Sequence, residues 1–407
     1  MQLERQHLVD QVKGEIMIHQ IKVNLIKVFL MAVGYLPACK KLIMFESFSG
    51  KQYSCNPKAI YEYMCEHHPE YNMYWSVDRK YVDHFDKEKL KIVERYSIKW
   101  LVLLGFSKFW VINSRMPVTI PKPKHTRYLQ TWHGTPLKKL AFDMEDVHMP
   151  NTTTDQYKQK FYVESRNWDY LLSPNPYSSQ IFRRAFRFEK KLLETGYPRN
   201  DVFYQGDLQE KCTAIKKRLK IPVDKKVILY APTWRDNQFY NVGHYKFDIH
   251  LDLNTLQEQF GQQYVIILRM HYLVAENFDL TPYQGFAYDF SQGEDINDLY
   301  LISDLLITDY SSVFFDFANL KRPIMFYTYD IEEYRDTLRG FYFDIESEAP
   351  GPLVKDMAGV LESLEHFDRY GMFLNYKDKY QRFYDKYCCL ENGTSTKQVV
   401  EQILIND

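Results

Sequence analysis

The sequence lacks a Gly-x-x-x-x-Gly-Lys-Ser/Thr loop and a Gly-x-Ser-x-Gly elbow. The P-loop nucleotidases and the α/β-hydrolase nucleophile arrangement are therefore excluded. Cysteine is sparse: Cys39, Cys55, Cys65, Cys212, Cys388 and Cys389 form no Cys-x-x-Cys pair. Neither a disulfide framework nor a structural zinc site is expected, and a reducing compartment fits better. The run Cys65 to His68 has no second ligand cluster at zinc spacing. Charge of one sign is missing too. The net value of −1 provides no global field for nucleic acid, and basic character is local, at 183–191 and 216–226. No secretory cleavage pattern is visible, and there is no short repeat or low-complexity linker. Long apolar runs are absent. Ile21 to Lys41 is interrupted by Lys22, Asn24 and Lys27, and Trp100 to Asn113 is short and holds Lys108, whereas a spanning helix needs about 20 apolar residues. The first run reads either as an interfacial helix with lysine heads above an apolar face or as a helix packed on the core.

What is present is a globular balance. The 407 residues are 45% hydrophobic and 26% charged, which suits two domains of roughly 200 residues each. Aromatic residues reach 16% with 33 tyrosines, a composition that fits amphipathic clefts as well as cores. After Lys41 apolar strands alternate with helices. KLIMFESFSG reads as a strand and turn, and NPKAIYEYMCEHHP as a helix with Asn56 as cap and Pro57 at its first position. YNMYWSVD, KLKIVERY and FWVINS read as further strands. VILY, YVIIL, FAYDFS, LLIT and PIMFY continue the pattern in the second half. Such alternation predicts parallel sheets covered by helices. The expected division is a segment 1–41 that can associate with membrane, a first α/β domain 42–210, and a second 211–407 that includes the C-terminal helices.

Strand ends carry the candidate chemistry, because ligands of open α/β sheets sit beyond the carboxyl ends of the strands. Ser311 and Ser312 stand where a strand becomes a helix, with Asp309 before them and Asp316 a turn beyond. They read as phosphate donors at a helix N-terminus or as plain caps. Arg269 and His271 follow YVIIL, where an arginine clamps phosphate or forms a surface ion pair. Thr233 and Arg235 follow VILY. Three strand ends bearing Thr/Arg, Arg/His and Ser/Ser in one domain describe a diphosphate pocket for a nucleotide. In the other domain His133 follows the strand YLQTW, with Gly134 permitting close approach and Pro136 stiffening the turn. It reads as a general base for a hydroxyl. Lys138 and Lys139 read as contacts for an acidic acceptor or as a solvated helix face. No obligatory metal site is expected, although Mg2+ can accompany the diphosphate.

Together FESFSGKQYSCNPKAIYEY, LQTWHGTPLKK, TGYPRND, APTWR, RMH, ITDYSSVFFDFANLKRPIMFYTYD and RGFYFD...PGPL resemble the CDP-glycerol glycerophosphotransferases of teichoic acid and capsule synthesis, over nearly the whole chain after about residue 40. Tyr272 departs from the family, which usually has proline there. The resemblance implies a GT-B-like α/β fold of two Rossmann-like domains facing a cleft. It implies His133 as base and Arg269, His271, Ser311, Ser312 and Asp316 at the nucleotide diphosphate; Thr233 and Arg235 join these from the strand-end reading, and His271 is the next candidate for the base. Gly134, Thr135, Lys138 and Lys139 are then the acceptor side. Implied partners are CDP-glycerol or CDP-ribitol, an undecaprenyl-diphosphate-linked acceptor and the membrane surface, with the protein peripheral on its cytoplasmic face. The alternative is a sugar-nucleotide-dependent glycosyltransferase of the same fold.

Overall fold

The computed structural model describes residues 17, 20–147, 152–233, 239–241, 244–245, 249–270, 279–333, 340–342 and 344–405. His271, Tyr272 and Arg235 lie outside the described residues. The strands are β1 (Cys39–Glu46), β2 (Asn72–Val77), β3 (Ile92–Glu94), β4 (Ser107–Ile112), β5 (Arg127–Gln130), β6 (Tyr170–Ser173) and β7 (Lys191–Glu194) in the first half. β8 (Lys226–Ala231), β9 (Phe239–Asn241), β10 (His244–Tyr245), β11 (Tyr264–Leu268), β12 (Ala287–Asp289), β13 (Leu305–Thr308), β14 (Ile324–Tyr327) and β15 (Leu353–Val354) follow.

Two sheets result. The first runs β3-β2-β1-β4-β5-β6-β7, the second β12-β11-β8-β13-β14-β15, and β9 and β10 form a separate hairpin. Pairing in both large sheets is parallel throughout. Central strands such as Tyr264–Leu268 are buried at every position, as parallel strands covered on both faces must be. The fold is the GT-B-like pair of α/β domains.

The chain crosses between the domains more than the expected division allows. The helix Leu208–Arg218 already belongs to the second domain: the Cys212 thiol donates to the Leu301 carbonyl at 2.9 Å, and Ile215 packs on that core. A boundary at 210 therefore cuts a helix. Residues 395–404 return to the first domain, where Val399, Val400, Ile403 and Leu404 share a core with Ile43, Phe45 and Trp75. The earlier helices Met357–Tyr370 and Lys377–Tyr387 stay with the second domain, through Val360, Leu364 and Phe367 and through Phe383 and Tyr387.

The helix 20–33 packs one face on the core, as one of its two expected readings required, and leaves another face exposed. Leu30 and Val33 are buried, and Leu30 packs in the core with Trp100 and Leu104. Ile21, Leu25, Val28, Met31 and Tyr35, spaced three to four residues apart, are exposed. On the helix Ile98–Phe106, Ile98 (83% exposed) and Val102 are exposed as well.

Candidate active site

The cleft between the domains is lined by both sets of strand ends. From the first sheet, β1 ends in the 3-10 turn Phe48–Gly50 and β5 ends in Thr131-Trp132-His133-Gly134. From the second, the adjacent strands β11, β8 and β13 end in Arg269, Thr233 and Ser311-Ser312. Between them lies a cavity of about 530 Å3 lined by His133, Gly134, Thr135, Lys138, Thr233, Arg269, Ser311, Ser312 and Asp316. That size suits a nucleotide-scale ligand. The stretches containing His133 and Ser312 meet across it: a Cβ added to Gly134 would lie 3.1 Å from Ser312 Oγ. A side chain at Gly134 would require Ser312 to give way slightly.

His133 is held in one tautomer. Its Nδ1 lies 2.8 Å from the Asn113 carbonyl oxygen. A carbonyl only accepts, so Nδ1 carries the proton and Nε2 keeps its lone pair. The ring stacks on Trp132 (centroids 4.7 Å apart) and meets the edge of Phe48 at 5.5 Å. The side chain keeps surface access through the cleft mouth. Surrounding protein nevertheless displaces water that would hydrate its cation. Burial, with Arg199 nearby, holds the imidazole down at about 4, against the opposing pull of the Asn113 carbonyl. At neutral pH the imidazole is therefore neutral, the form a general base requires.

On the opposite wall, Arg269 donates to the Phe290 carbonyl, and burial lowers its pKa against the raising influence of Asp295. Asp309 accepts from the Thr233 N–H at 2.7 Å, pinning the β8 loop to the β13 end. Ser312 precedes a helix of only five residues, Val313–Phe317, and no side-chain cap forms there. The capping alternative for Ser312 thus leaves its hydroxyl uncommitted to that helix.

Three expectations need correction. Asp316 lines the cavity, but its carboxylate oxygens accept from Arg199 Nη2 at 2.9 and 2.8 Å and from Asn200 at 3.2 Å. An anion so engaged is poorly suited to hold a diphosphate. It instead joins the domains. Lys138 and Lys139 are not on a helix. Lys138 bridges antiparallel to Phe341, and the Lys139 N–H donates to the Gly340 carbonyl at 2.9 Å. Lys139 also pairs with Glu145 at 2.8 Å, while Lys138 alone of the two lines the cavity. Asn56 is not the cap either: the capping position is Ser54, and Asn56 turns its amide inward.

Arg199, in TGYPRND, received no role from the sequence although it lines the cavity. Burial opposes its charge, but the Asp316 carboxylate more than offsets this and raises its pKa. Its Nη1 also reaches Cys55 Sγ at 3.0 Å. Lys58 and Asp295 form a second cross-domain pair at 2.7 Å. The available signal was a cation directly after a Gly-Tyr-Pro turn near the domain junction.

Among the described residues, no group of three or more His, Cys, Asp or Glu is arranged to hold a metal, and no helix is long and apolar enough to cross a membrane.

Similarity to known proteins agrees with this geometry. The family model for CDP-Glycerol:Poly(glycerophosphate) glycerophosphotransferase matches residues 28–405. A teichoic acid poly(glycerol phosphate) polymerase of Bacillus subtilis (strain 168) is 58% identical over 93% of this chain, which spans only 50% of that relative's length. The polymerase of the same description from Bacillus spizizenii (strain ATCC 23059 / NRRL B-14472 / W23) is 55% identical over 94% of this chain and 96% of its own. A structure of the wall teichoic acid polymerase TagF, solved as a His-to-Asn variant with CDPG soaked in, superposes with a TM-score of 0.87 at 41% identity, covering 96% of this chain and 95% of that one. The chain belongs to the CDP-glycerol:poly(glycerophosphate) glycerophosphotransferase family.

Proposed function

We propose that the protein transfers glycerol phosphate from CDP-glycerol to a hydroxyl of a lipid-linked acceptor in wall teichoic acid synthesis and releases CMP. Family membership, the glycerol phosphate relatives and the CDPG-soaked neighbour support this donor over CDP-ribitol. The observation that carries the reading is the His133 ring, held through Nδ1 on the Asn113 carbonyl and lining the same cavity as Ser312.

In this mechanism the acceptor oxygen attacks the phosphorus nearer the glycerol. An O–P bond forms, the P–O bond to CMP breaks, and CMP leaves with the electron pair. The acceptor proton passes to His133 Nε2 while Nδ1–H stays on the Asn113 carbonyl. Thr233, Arg269, Ser311 and Ser312 hold the diphosphate and stabilise charge developing on the leaving group. Lys138, Gly134 and Thr135 belong to the acceptor side. Magnesium, where present, enters on the diphosphate as part of the substrate. The undecaprenyl-diphosphate-linked acceptor puts the reaction at the cytoplasmic membrane face, with the apolar stripe of helix 20–33 and the exposed Lys22, Lys40 and Lys41 toward lipid.

His133→Gln tests the reading. Loss of a general base costs about 10²–10⁴-fold in rate, so CMP release should fall by at least that lower bound while CDP-glycerol affinity by calorimetry stays close to wild type. Turnover within a few-fold of wild type rejects His133 as base. Release of UDP from UDP-sugars in place of CMP would instead select the glycosyltransferase reading.

A further inference from the structure

His133 is preceded by an unusual backbone. Trp132 has φ of +51°, in the left-handed region that bulky side chains avoid. Its own N–H and carbonyl are not spent on a neighbouring strand. The N–H donates to Gln130 Oε1 at 2.9 Å. The carbonyl accepts from Asn56 Nδ2 at 3.2 Å, and the same nitrogen donates to the Thr131 carbonyl at 3.2 Å. Asn56 Oδ1 in turn accepts the Arg199 N–H at 3.2 Å. Asn56 is fully buried, at 0% exposure, and is the second residue of the helix Cys55–His67. One amide thus joins three segments remote in sequence: the helix start, the His133 turn and the Arg199 loop. Unusual backbone persists where surrounding groups over-determine it, and such places concentrate at functional sites.

We propose that Asn56 is a positioning residue for the transfer reaction: its amide holds the left-handed turn at Trp132 and so aims His133 Nε2 into the cleft. The chemistry requires an amide. Two donors are needed for the two carbonyls and one acceptor for the Arg199 N–H, and asparagine offers all three from one planar group. Aspartate has the same shape but sets one carboxylate oxygen, in the place of Nδ2, against the two carbonyl oxygens. The inference rests on His133 as the base.

The test uses Asn56→Asp and Asn56→Ala in the full chain, with CDP-glycerol and a lipid-linked acceptor. Misplacement of a catalytic group by about 1 Å costs up to about 10²-fold. Both variants should therefore lose about 10- to 100-fold in kcat for CMP release, with KM for CDP-glycerol within about twofold of wild type. Wild-type kcat in Asn56→Ala overturns the proposal. So does a loss of activity in both variants that merely tracks the unfolded fraction by circular dichroism, which would make Asn56 a core residue. His133→Gln run alongside separates the two ideas. If it is inactive while Asn56→Ala is fully active, only the positioning role fails; if it is active, the base assignment fails.

Discussion

Replacing Arg199 with methionine should cost the fold about 3–5 kcal/mol, the usual penalty for breaking a buried ion pair and leaving one charge behind. The two side chains are only 6% and 12% exposed. A single nitrogen, Nη2, reaches both Asp316 oxygens, and after the substitution the carboxylate would retain only the Asn200 amide at 3.2 Å. Asp316→Leu strands the guanidinium, leaving it the Cys55 sulfur and the face of the Tyr197 ring 4.5 Å from its carbon. The double variant Arg199→Met/Asp316→Leu buries no charge. Its cost should fall short of the sum of the singles by at least about 2 kcal/mol. Urea denaturation measures this, followed by tryptophan fluorescence and far-ultraviolet circular dichroism together. Coincident curves establish that the two domains unfold as one unit, as a pair spanning them requires. Single costs under about 1 kcal/mol, or additivity within about 0.5 kcal/mol, would refute the role given to this pair.

Three further outcomes follow from the same geometry. Ser312→Ala and Arg269→Ala should each weaken CDP-glycerol binding by about 1–3 kcal/mol through a lost charge-assisted bond, and unchanged calorimetric affinity in both would remove them from the donor pocket. Leu25→Glu with Val28→Glu, on the exposed stripe of helix 20–33, should abolish binding to anionic vesicles that added salt also weakens; undiminished flotation of the folded variant would place the attachment elsewhere. Burial pushes Glu391 up to about 8, while an unfolded glutamate titrates near about 4.3. Between these values the folded chain keeps a proton that the unfolded chain has lost, so this contribution to stability is fully present below the lower value and lost as pH rises through the upper one. Glu391→Gln should flatten that decline, and an unaltered pH dependence of the melting temperature would contradict it.

Much of the fold is local information. The apolar runs at 42–45, 109–112, 227–231, 264–268 and 305–307 are recognisable because a parallel strand covered on both faces is apolar at successive positions, and helices between such runs force parallel pairing. Strand ends are local too. Gly134, Ser311, Ser312, Arg269 and Thr233 could be named before their walls were assembled, because each follows its own strand. Tertiary structure decided which side chains face which. Arg199 and Asp316 are 117 residues apart, and Asn56 and Thr131 are 75 apart. Lys138 and Lys139 follow a helix-like pattern until Gly340 and Phe341 supply main-chain partners. Residues 395–404 resemble an ordinary terminal helix until the first domain buries them. Hydrophobic periodicity reports a residue's own element, since it reflects only whether each position meets water. Pairing between distant polar groups depends on how two preformed sheets dock, and a buried Asn, Arg or Asp gains its partner only when that docking removes the water that served it in the unfolded chain.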